Sequence, residues 1–306
     1  MIKLALLKPE YCYGPEIYAL SDYLSKKYSD KIYCQILEFD EIKKKQNDFD
    51  LIYRLMGFSS FILEDFKIPE IHDYASISTG RYISFKNFIK RNFQKKPLYR
   101  SFLNSNVFDE FNFKDNIPYG FRDMAVKETF FKSYDFNYDQ KEFDFCYIGE
   151  ISKERNSDEL IDFFGKSNFK VLMIGENKLG ENKYKNIIFS GRVENSIVPN
   201  LINKCRFAIN FVPNLYPYNL QTSTKLLEYL SMGIPVISNK YKWVEDYVEN
   251  NNISLIFFDD FSFFENDFYS FYKKYENYNN VPKVKKWEDV FESSGLIDFI
   301  LNYNGK

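Results

Sequence analysis

The sequence predicts an α/β protein of two domains, each built on a parallel sheet with helices on both faces. Short apolar runs alternate with helical stretches in two rounds, the first starting at Ile2 and the second at Phe143. Residues 121–142 between them are charged and lack a strand pattern, which is typical of an interdomain connection. A chain of 306 residues can form two sizeable hydrophobic cores. We therefore expect one domain over 1–135, a second over 136–282 and a helical segment over 283–306.

The first round opens with a strand at Ile2–Leu7 and a helix at Pro15–Lys27, where apolar residues recur at helical spacing. Its remaining strands are expected at Ile32–Glu38, Asp50–Met56, Ile68–His72, Leu98–Leu103 and Asp115–Pro118. Near the end of the second round, the pattern predicts a helix over Thr224–Met232, a stop at Gly233 and a buried strand over Ile234–Ser238.

Composition excludes several classes of protein. The formal net charge is −2, which argues against a general nucleic-acid binder. No apolar run approaches the ~18 residues of a transmembrane helix, and the first residues are typical of a strand rather than a signal peptide. The 4 cysteines are scattered without a CxxC pair, which favours buried thiols in a reducing cytoplasm.

The helix over Thr224–Met232 is the most informative segment for function. Leucines occupy one side, whereas Thr224, Lys225 and Glu228 fall on the other. The first turn of a helix favours an anion, and a lysine there adds positive charge suited to a diphosphate. Glu228, one turn on, can accept two hydrogen bonds from ribose hydroxyls. The plainer alternative is a surface helix with a Lys225–Glu228 pair worth only ~0.3 kcal/mol.

This segment, QTSTKLLEYLSMGIPVISN over 221–239, resembles the nucleotide-sugar signature of the GT-B glycosyltransferases, especially the family 4-like group. The match consists of Lys225, Leu226, Glu228 and the Gly-x-Pro-Val that follows. The upstream segments 143–156, 170–177, 186–193 and 196–214 resemble the strands and loops that precede the signature. The likeness covers residues 140–260 well and the N-terminal half only loosely.

The resemblance implies two Rossmann-like domains whose parallel sheets face a central cleft, with the C-terminal helix crossing back to the first domain. It implies transfer of a sugar from a UDP- or GDP-sugar, with no cofactor beyond that co-substrate, in bacterial surface polysaccharide or lipooligosaccharide synthesis. Glu228 would hold the ribose, and the backbone at Arg192 and Val193 the base. The diphosphate would be held by Arg155, Thr222, Ser223, Thr224 and Lys225.

Two departures from the family pattern bear on the chemistry. Many retaining members carry a second glutamate eight residues before Glu228, where this chain has Leu220. The first loop of that domain often contains Gly-Arg, whereas Glu150 follows Gly149 here. These departures favour, as an alternative, a non-catalytic binding module that keeps the scaffold. The nearest enzymatic alternative is a nucleotide-sugar 2-epimerase, which shares the GT-B fold.

His72 and Asp73 are the candidates for catalysis in the first domain. They follow a predicted strand, so we expect them in a strand-end loop facing the cleft. Either could take a proton from an acceptor hydroxyl as general base, or His72 could hydrogen-bond the donor sugar. The plainer interpretation is a solvated loop histidine beside a capping aspartate.

Residues 74–108 carry seven basic residues and no acid. Phe85, Phe88, Ile89 and Phe93 recur there at helical spacing. Such a segment could lie on an anionic membrane or meet a glycan or lipid-linked acceptor, which would place the protein on the inner face of the cell membrane. The alternative is an ordinary helix with phenylalanines in the core and lysines in water. The candidate patch consists of Arg81, Lys86, Lys90, Arg91, Lys95 and Lys96.

No metal site is expected. Asp48 and Asp50 form a DxD pair, but they lie in a charged loop and are typical of a turn. The sequence has no other cluster of histidine, cysteine and carboxylate residues at metal-ligand spacing. In the GT-B resemblance, the helix dipole and basic side chains stabilise the leaving diphosphate instead.

Overall fold

A computed structural model describes residues 1–8, 14–57, 66–131, 138–265 and 283–305. The chain divides into two compact units, one of Met1–Ala125 with Lys285–Lys306 and the other of Val126–Val284. Each unit contains a six-stranded sheet. The boundary thus lies at 125/126 rather than at the expected 135/136, and the C-terminal segment belongs to the first unit.

The first unit has strand order β2-β1-β3-β4-β5-β6, with every pair parallel. Its strands are β1 (Ile2–Leu7), β2 (Ile32–Leu37), β3 (Leu51–Leu55), β4 (Glu70–Tyr74), β5 (Tyr99–Phe102) and β6 (Tyr119–Phe121). Its helices are α1 (Pro15–Lys27), α2 (Phe39–Lys45), α3 (Ile83–Asn92), α4 (Ser105–Phe111), α9 (Trp287–Ser293) and α10 (Leu296–Leu301).

The core of the first unit explains why its C-terminal helices belong there. Leu4 and Leu6 of β1 are fully buried, as expected for a parallel strand covered on both faces. They share a hydrophobic cluster with Phe291 of α9 and Ile300 of α10. Burying a phenylalanine contributes ~1.5–3 kcal/mol, so these helices stabilise the sheet substantially.

The second unit has strand order β12-β11-β10-β7-β8-β9, again all parallel. Its strands are β7 (Phe143–Ile148), β8 (Val171–Ile174), β9 (Ile187–Gly191), β10 (Cys205–Asn210), β11 (Val236–Asn239) and β12 (Ile256–Phe258). Its helices are α5 (Ser157–Gly165), α6 (Val198–Ile202), α7 (Thr224–Met232) and α8 (Lys242–Asn251).

The order of strands in the second unit indicates where a ligand would bind. Strand β7 lies between β8 and β10, and the chain progresses in opposite directions along the sheet from that point. Doubly wound sheets bind ligands beyond the carboxyl ends of the strands at such a switch point. Helix α7 follows β10 in the chain, so its first turn lies at this edge of the sheet.

Two strand predictions of the first unit are corrected by the structure. The last strand is Tyr119–Phe121 rather than Asp115–Pro118. Asp115 instead pairs with Arg100, at 2.5 Å between Oδ1 and Nη1, while the carbonyl of Pro118 accepts from the Arg100 backbone at 3.0 Å. His72 and Asp73 lie inside β4 and not in a loop after it.

Candidate functional site

The first turn of α7 is fixed to the end of β10 by buried hydrogen bonds. The Ser223 hydroxyl accepts from the backbone N–H of Leu226 at 3.3 Å and donates to Asn210 Oδ1 at 2.8 Å. The Asn210 amide donates in turn to the Ser238 hydroxyl at 2.8 Å. Asn210 and Ser238 are completely buried, so the helix terminus, with its partial positive charge, has a defined position.

Lys225 extends from this turn across the end of β7. Its ammonium donates to the Tyr147 hydroxyl at 3.2 Å and lies 4.8 Å from the centre of that ring. Gly149 makes room for it: a Cβ there would collide with Lys225 Cε and lie 2.7 Å from Nζ. Gly149 also has a φ of 138°, which side chains rarely adopt. Lys225 therefore points to the switch point rather than pairing with Glu228.

Arg155 brings a second cation to the same place. It ends a 3-10 turn over Lys153–Arg155, and its guanidinium lies 4.8 Å from the centre of the Tyr218 ring. Burial raises the pKa of Tyr147, but Lys225, Ser157 and Arg155 together lower it below its ordinary value. Two basic side chains thus act on one phenol, and a diphosphate is the kind of anion that such a pair can hold.

The negative charge of Glu150 does not cancel the positive charge of Lys225 and Arg155. Its carboxylate accepts from Lys178 Nζ at 2.5 Å, and that hydrogen bond lowers its pKa. The residue that departs from the family pattern is therefore neutralised by a neighbouring loop.

Glu228 lies one turn after Lys225 and is half-buried. Burial raises its pKa to about 7, although Lys225, a hydrogen bond from Asn195 and Lys127 act in the opposite direction. Asn195 Oδ1 is buried and has no hydrogen-bond partner among the residues that the structure describes. A ligand that offers hydroxyl or N–H groups beside Glu228 would satisfy both side chains.

The segment after β9 reaches this part of α7. Gly191 has a φ of 69°, and its carbonyl accepts from the Gly175 backbone at 3.1 Å. Arg192 is exposed and Val193 half-buried, and Asn195 further along contacts Glu228. Asn195 therefore connects the segment after β9 to Glu228, whereas the role of Arg192 and Val193 stays a prediction. Thr222 and Thr224, the other predicted diphosphate ligands, are half-buried on either side of Ser223.

Leu220, at the position of the family's second glutamate, ends a 3-10 turn over Tyr218–Leu220 and is half-buried. No carboxylate reaches the site from that position. Among the described residues, no group of three histidine, cysteine or acidic side chains could hold a metal ion. Asp50 of the DxD pair accepts from the Lys3 backbone at 2.8 Å, which is a turn contact between β1 and β3.

Known proteins share the fold of this chain and the sequence pattern of its second unit. Residues 127–263 match the family described as glycosyl transferases group 1. Anabaena HepE, solved with UDP and glucose, has a TM-score of 0.65 at 12% identity, over 98% of this chain and 97% of that one. Sucrose-phosphate synthase from Thermosynechococcus elongatus has a TM-score of 0.65 at 9% identity, over 98% and 96%. The lipopolysaccharide outer core galactosyltransferase WaaB has a TM-score of 0.53 at 12% identity, over 99% and 97%.

The chain has the GT-B fold, and its second unit contains the segment that matches the glycosyl transferases group 1 family. No curated protein sequence matches it, so its likeness to the solved structures, all far below 25% identity, establishes the fold alone. The GT-B resemblance and the two Rossmann-like units are confirmed, whereas membership of the family 4-like group stays a prediction. No helix in the described part of the chain is long and apolar enough to cross a membrane.

His72 and Asp73 lie where the sequence did not place them. Both are completely buried in β4. His72 Nε2 is 2.9 Å from Glu70 Oε2, and burial lowers the His72 pKa despite that carboxylate. Asp73 accepts from Arg122 Nε at 2.6 Å and also from the Tyr53 hydroxyl. The placement in a strand-end loop was therefore wrong, whereas the catalytic role of either residue stays a prediction.

The basic patch is also rearranged. Lys90 is only 1% exposed, and burial, assisted by Lys86, lowers its pKa to about 7. Lys95 donates to the carbonyl of Ile68 at 2.8 Å, and Lys86 to that of Thr79 at 2.9 Å. The amines of Lys86, Lys90 and Lys95 are therefore directed at groups of the protein itself. Arg81, Arg91 and Lys96 are exposed.

Several side chains of the candidate site were missed in the sequence. Tyr147 is part of an apolar strand and has the pattern of a core residue. Asn210 ends β10 as an isolated amide, and Asn195 follows a glycine turn. The polar residue at the end of a buried parallel strand was a usable signal for Asn210, since ligands bind at that edge.

Proposed function

We propose that this protein is a glycosyltransferase that moves a sugar from a UDP- or GDP-sugar to a glycan or glycolipid acceptor. The observation that carries the proposal is the position of the Lys225 ammonium. It lies at the N-terminus of α7, over Gly149, at the switch point of the second sheet. Helix terminus and ammonium together make an anion site suited to a diphosphate.

The residues of the site have separate tasks in this proposal. Lys225 and Arg155 hold the diphosphate, and their charge counts most when the sugar–phosphate bond breaks and negative charge develops on the leaving group. Thr222, Ser223 and Thr224 contribute the first turn of α7 to the same anion.

Glu228 binds the ribose hydroxyls in its ionised form. The backbone at Arg192 and Val193 lies against the base. Asn195, with its unsatisfied buried oxygen, adds an acceptor beside the ribose. No step in this scheme requires a metal ion.

A cellular role in bacterial surface polysaccharide or lipooligosaccharide synthesis fits this chemistry, with the protein working in the cytoplasm. The support is the family match, together with the basic segment of the first unit, which suits an anionic acceptor or membrane surface.

A donor screen followed by product analysis tests the proposal. Thermal shift should identify one nucleotide diphosphate sugar, because a ligand at about 100 times its Kd adds about 2.7 kcal/mol of stability. That donor should then be slowly hydrolysed by wild-type protein, since a working site can use water as acceptor. Binding without any hydrolysis or transfer would favour a non-catalytic module, and conversion of UDP-GlcNAc to a new nucleotide sugar would favour an epimerase. No shift with any UDP- or GDP-sugar would refute the proposal.

A further inference from the structure

Helix α3 of the first unit has its polar and apolar faces reversed relative to a soluble helix. Its buried side chains are Asn87 and Lys90. Asn87 Oδ1 accepts from the Ser78 backbone at 3.2 Å, and the Lys90 ammonium lies 5.9 Å from the centre of the Phe111 ring. An amide and a lysine therefore attach this helix to the unit.

The outer face of α3 is aromatic. The exposed fractions are 78% for Tyr82, 61% for Phe85, 44% for Phe88 and 60% for Phe93. The spacing of three residues from Tyr82 to Phe85 to Phe88 places them on one side of the helix. Phe88 and Phe93 touch, with ring centroids 5.7 Å apart. We call these four side chains the aromatic face.

The exposed charged side chains of α3 and its flanking residues are basic. Arg81, Arg91 and Lys96 are exposed on or beside the helix. Residues 74–108 contain no aspartate or glutamate. The surface thus offers hydrophobic rings at its centre and basic groups at its margin. The neighbouring acid Glu110 of α4 is half-buried and accepts a hydrogen bond from the inward-facing Asn87 at 3.2 Å.

We infer that the aromatic face docks α3 on an anionic lipid surface, with its rings inserted among the headgroups. A helix of ten residues is about 15 Å long, so it can lie in the interface but cannot span a bilayer. The exposed aromatic area is roughly 500 Å², at about 200 Å² for a whole ring side chain. This is less than the ~800 Å² per partner of a stable protein interface, and the exposed basic margin of Arg81, Arg91 and Lys96 matches anionic headgroups.

Docking through the aromatic face is an activity separate from the proposed sugar transfer, and it depends on rings rather than on all the lysines of the basic patch. Lys90 and Lys95 take no part, because their amines point into the unit. Insertion of rings resists salt, whereas attraction by Arg81, Arg91 and Lys96 is screened over ~8–10 Å. Binding should accordingly have a salt-sensitive and a salt-resistant component.

Co-sedimentation with vesicles tests the inference. The full-length protein should bind vesicles that are about one-third phosphatidylglycerol at least tenfold more tightly than phosphatidylcholine vesicles at low salt. The double variant Phe85→Ser/Phe88→Ser should reduce binding about tenfold or more, even in high salt. The matched control is Leu215→Ser/Ile197→Ser, because these side chains are also 61% and 44% exposed but belong to the second unit. The control should bind vesicles as wild type does.

A second variant reports insertion directly. The native tryptophans, Trp243 and Trp287, are 6% and 7% exposed, so a new tryptophan from Phe88→Trp would dominate any change in emission. Its emission should shift to the blue on vesicles and be quenched by brominated lipid. Absence of vesicle binding by wild-type protein, or an unchanged Phe85→Ser/Phe88→Ser variant, overturns the inference. Conversion of a dimer to a monomer by that variant would assign the aromatic face to a second copy of the chain.

Donor binding separates this inference from the proposed function. Phe85→Ser/Phe88→Ser should leave the affinity for the nucleotide sugar unchanged, since the donor residues belong to the second unit. Intact donor binding without vesicle binding refutes the docking alone. Vesicle binding without donor binding refutes the proposed function alone.

Discussion

Ionisation of Glu228 should control donor binding near neutral pH. Burial raises the pKa of this carboxyl to about 7 in the free protein. Two hydrogen bonds from ribose hydroxyls require the ionised form, so donor binding must stabilise the carboxylate. One pH unit below the pKa, about a tenth of the molecules carry that form, and the apparent Kd should be about tenfold higher than on the alkaline plateau. This corresponds to about 1.4 kcal/mol.

Isothermal titration calorimetry with the intact nucleotide sugar at about pH 6, 7 and 8 measures this effect. The diphosphate of a nucleotide sugar does not change its charge in this range, so any change in affinity belongs to the protein. Glu228→Gln should weaken binding on the alkaline plateau and lose the pH dependence. Glu245→Gln, on the exposed side of α8, should behave as wild type does. An affinity that is independent of pH, or that rises as the pH falls, would refute the ribose role.

The same pKa predicts an effect on stability. The folded pKa lies above the ordinary value of 4.5, so the folded protein binds the proton more tightly than the unfolded chain does. The free energy of unfolding therefore decreases as the pH rises from about 4.5 to about 7, by no more than ~3 kcal/mol. Glu228→Gln should raise the Tm at pH values above this window and leave it nearly unchanged below it.

Three further variants test individual contacts. Gly149→Ala should increase the donor Kd about tenfold or more, because the new Cβ collides with Lys225 and the φ of 138° is strained by ~1–3 kcal/mol. Tyr147→Phe keeps the ring under the Lys225 ammonium but removes one hydrogen bond, so titration should show a loss of about 1 kcal/mol in donor binding. Asp73→Ala removes the hydrogen-bonded carboxylate of the fully buried Arg122 and leaves it only Glu16, 3.8 Å away, so urea unfolding should show a loss of about 3 kcal/mol.

A surface ion pair provides the control for the buried one. Asp246 pairs with Lys242 on the surface, with side chains 36% and 61% exposed, so Asp246→Ala should cost less than ~1 kcal/mol. Equal losses for Asp73→Ala and Asp246→Ala would show that the buried ion pair contributes no more to stability than the surface ion pair does. Normal donor binding by Gly149→Ala would show that donor binding does not depend on the position of Lys225 against Gly149.

The fold was predictable because its strands carry their signal locally. Buried parallel strands such as Ile2–Leu7 are continuous apolar runs, and the helices between them have a distinct period. The polar face of α7 was equally local, since Lys225 and Glu228 are three residues apart on one helix. Their contacts with Tyr147 and Asn195 depend on strands far away in the sequence, which periodicity does not reveal.

The errors in the first unit have one physical cause. A histidine and an aspartate are unfavourable in a buried strand, so the sequence placed His72 and Asp73 in a loop. They are tolerated in β4 because Glu70 and Arg122 compensate them, and Arg122 lies 49 residues beyond Asp73. In α3, an amphipathic pattern defines two faces but not which of them is buried. Asn87 and Lys90 face inward only because α4 and the Ser78 backbone provide partners.

The affinity of the Lys225→Ala variant for its nucleotide sugar tests the central claim most directly. Calorimetry should show a Kd about 10- to 100-fold higher than that of wild type, because a charge-assisted contact with the diphosphate is lost. Lys242→Ala is the matched control, since Lys242 begins the neighbouring helix α8 and pairs with Asp246 at its surface. The account predicts wild-type affinity for Lys242→Ala and a large loss for Lys225→Ala. Equal affinities in the two variants would contradict it.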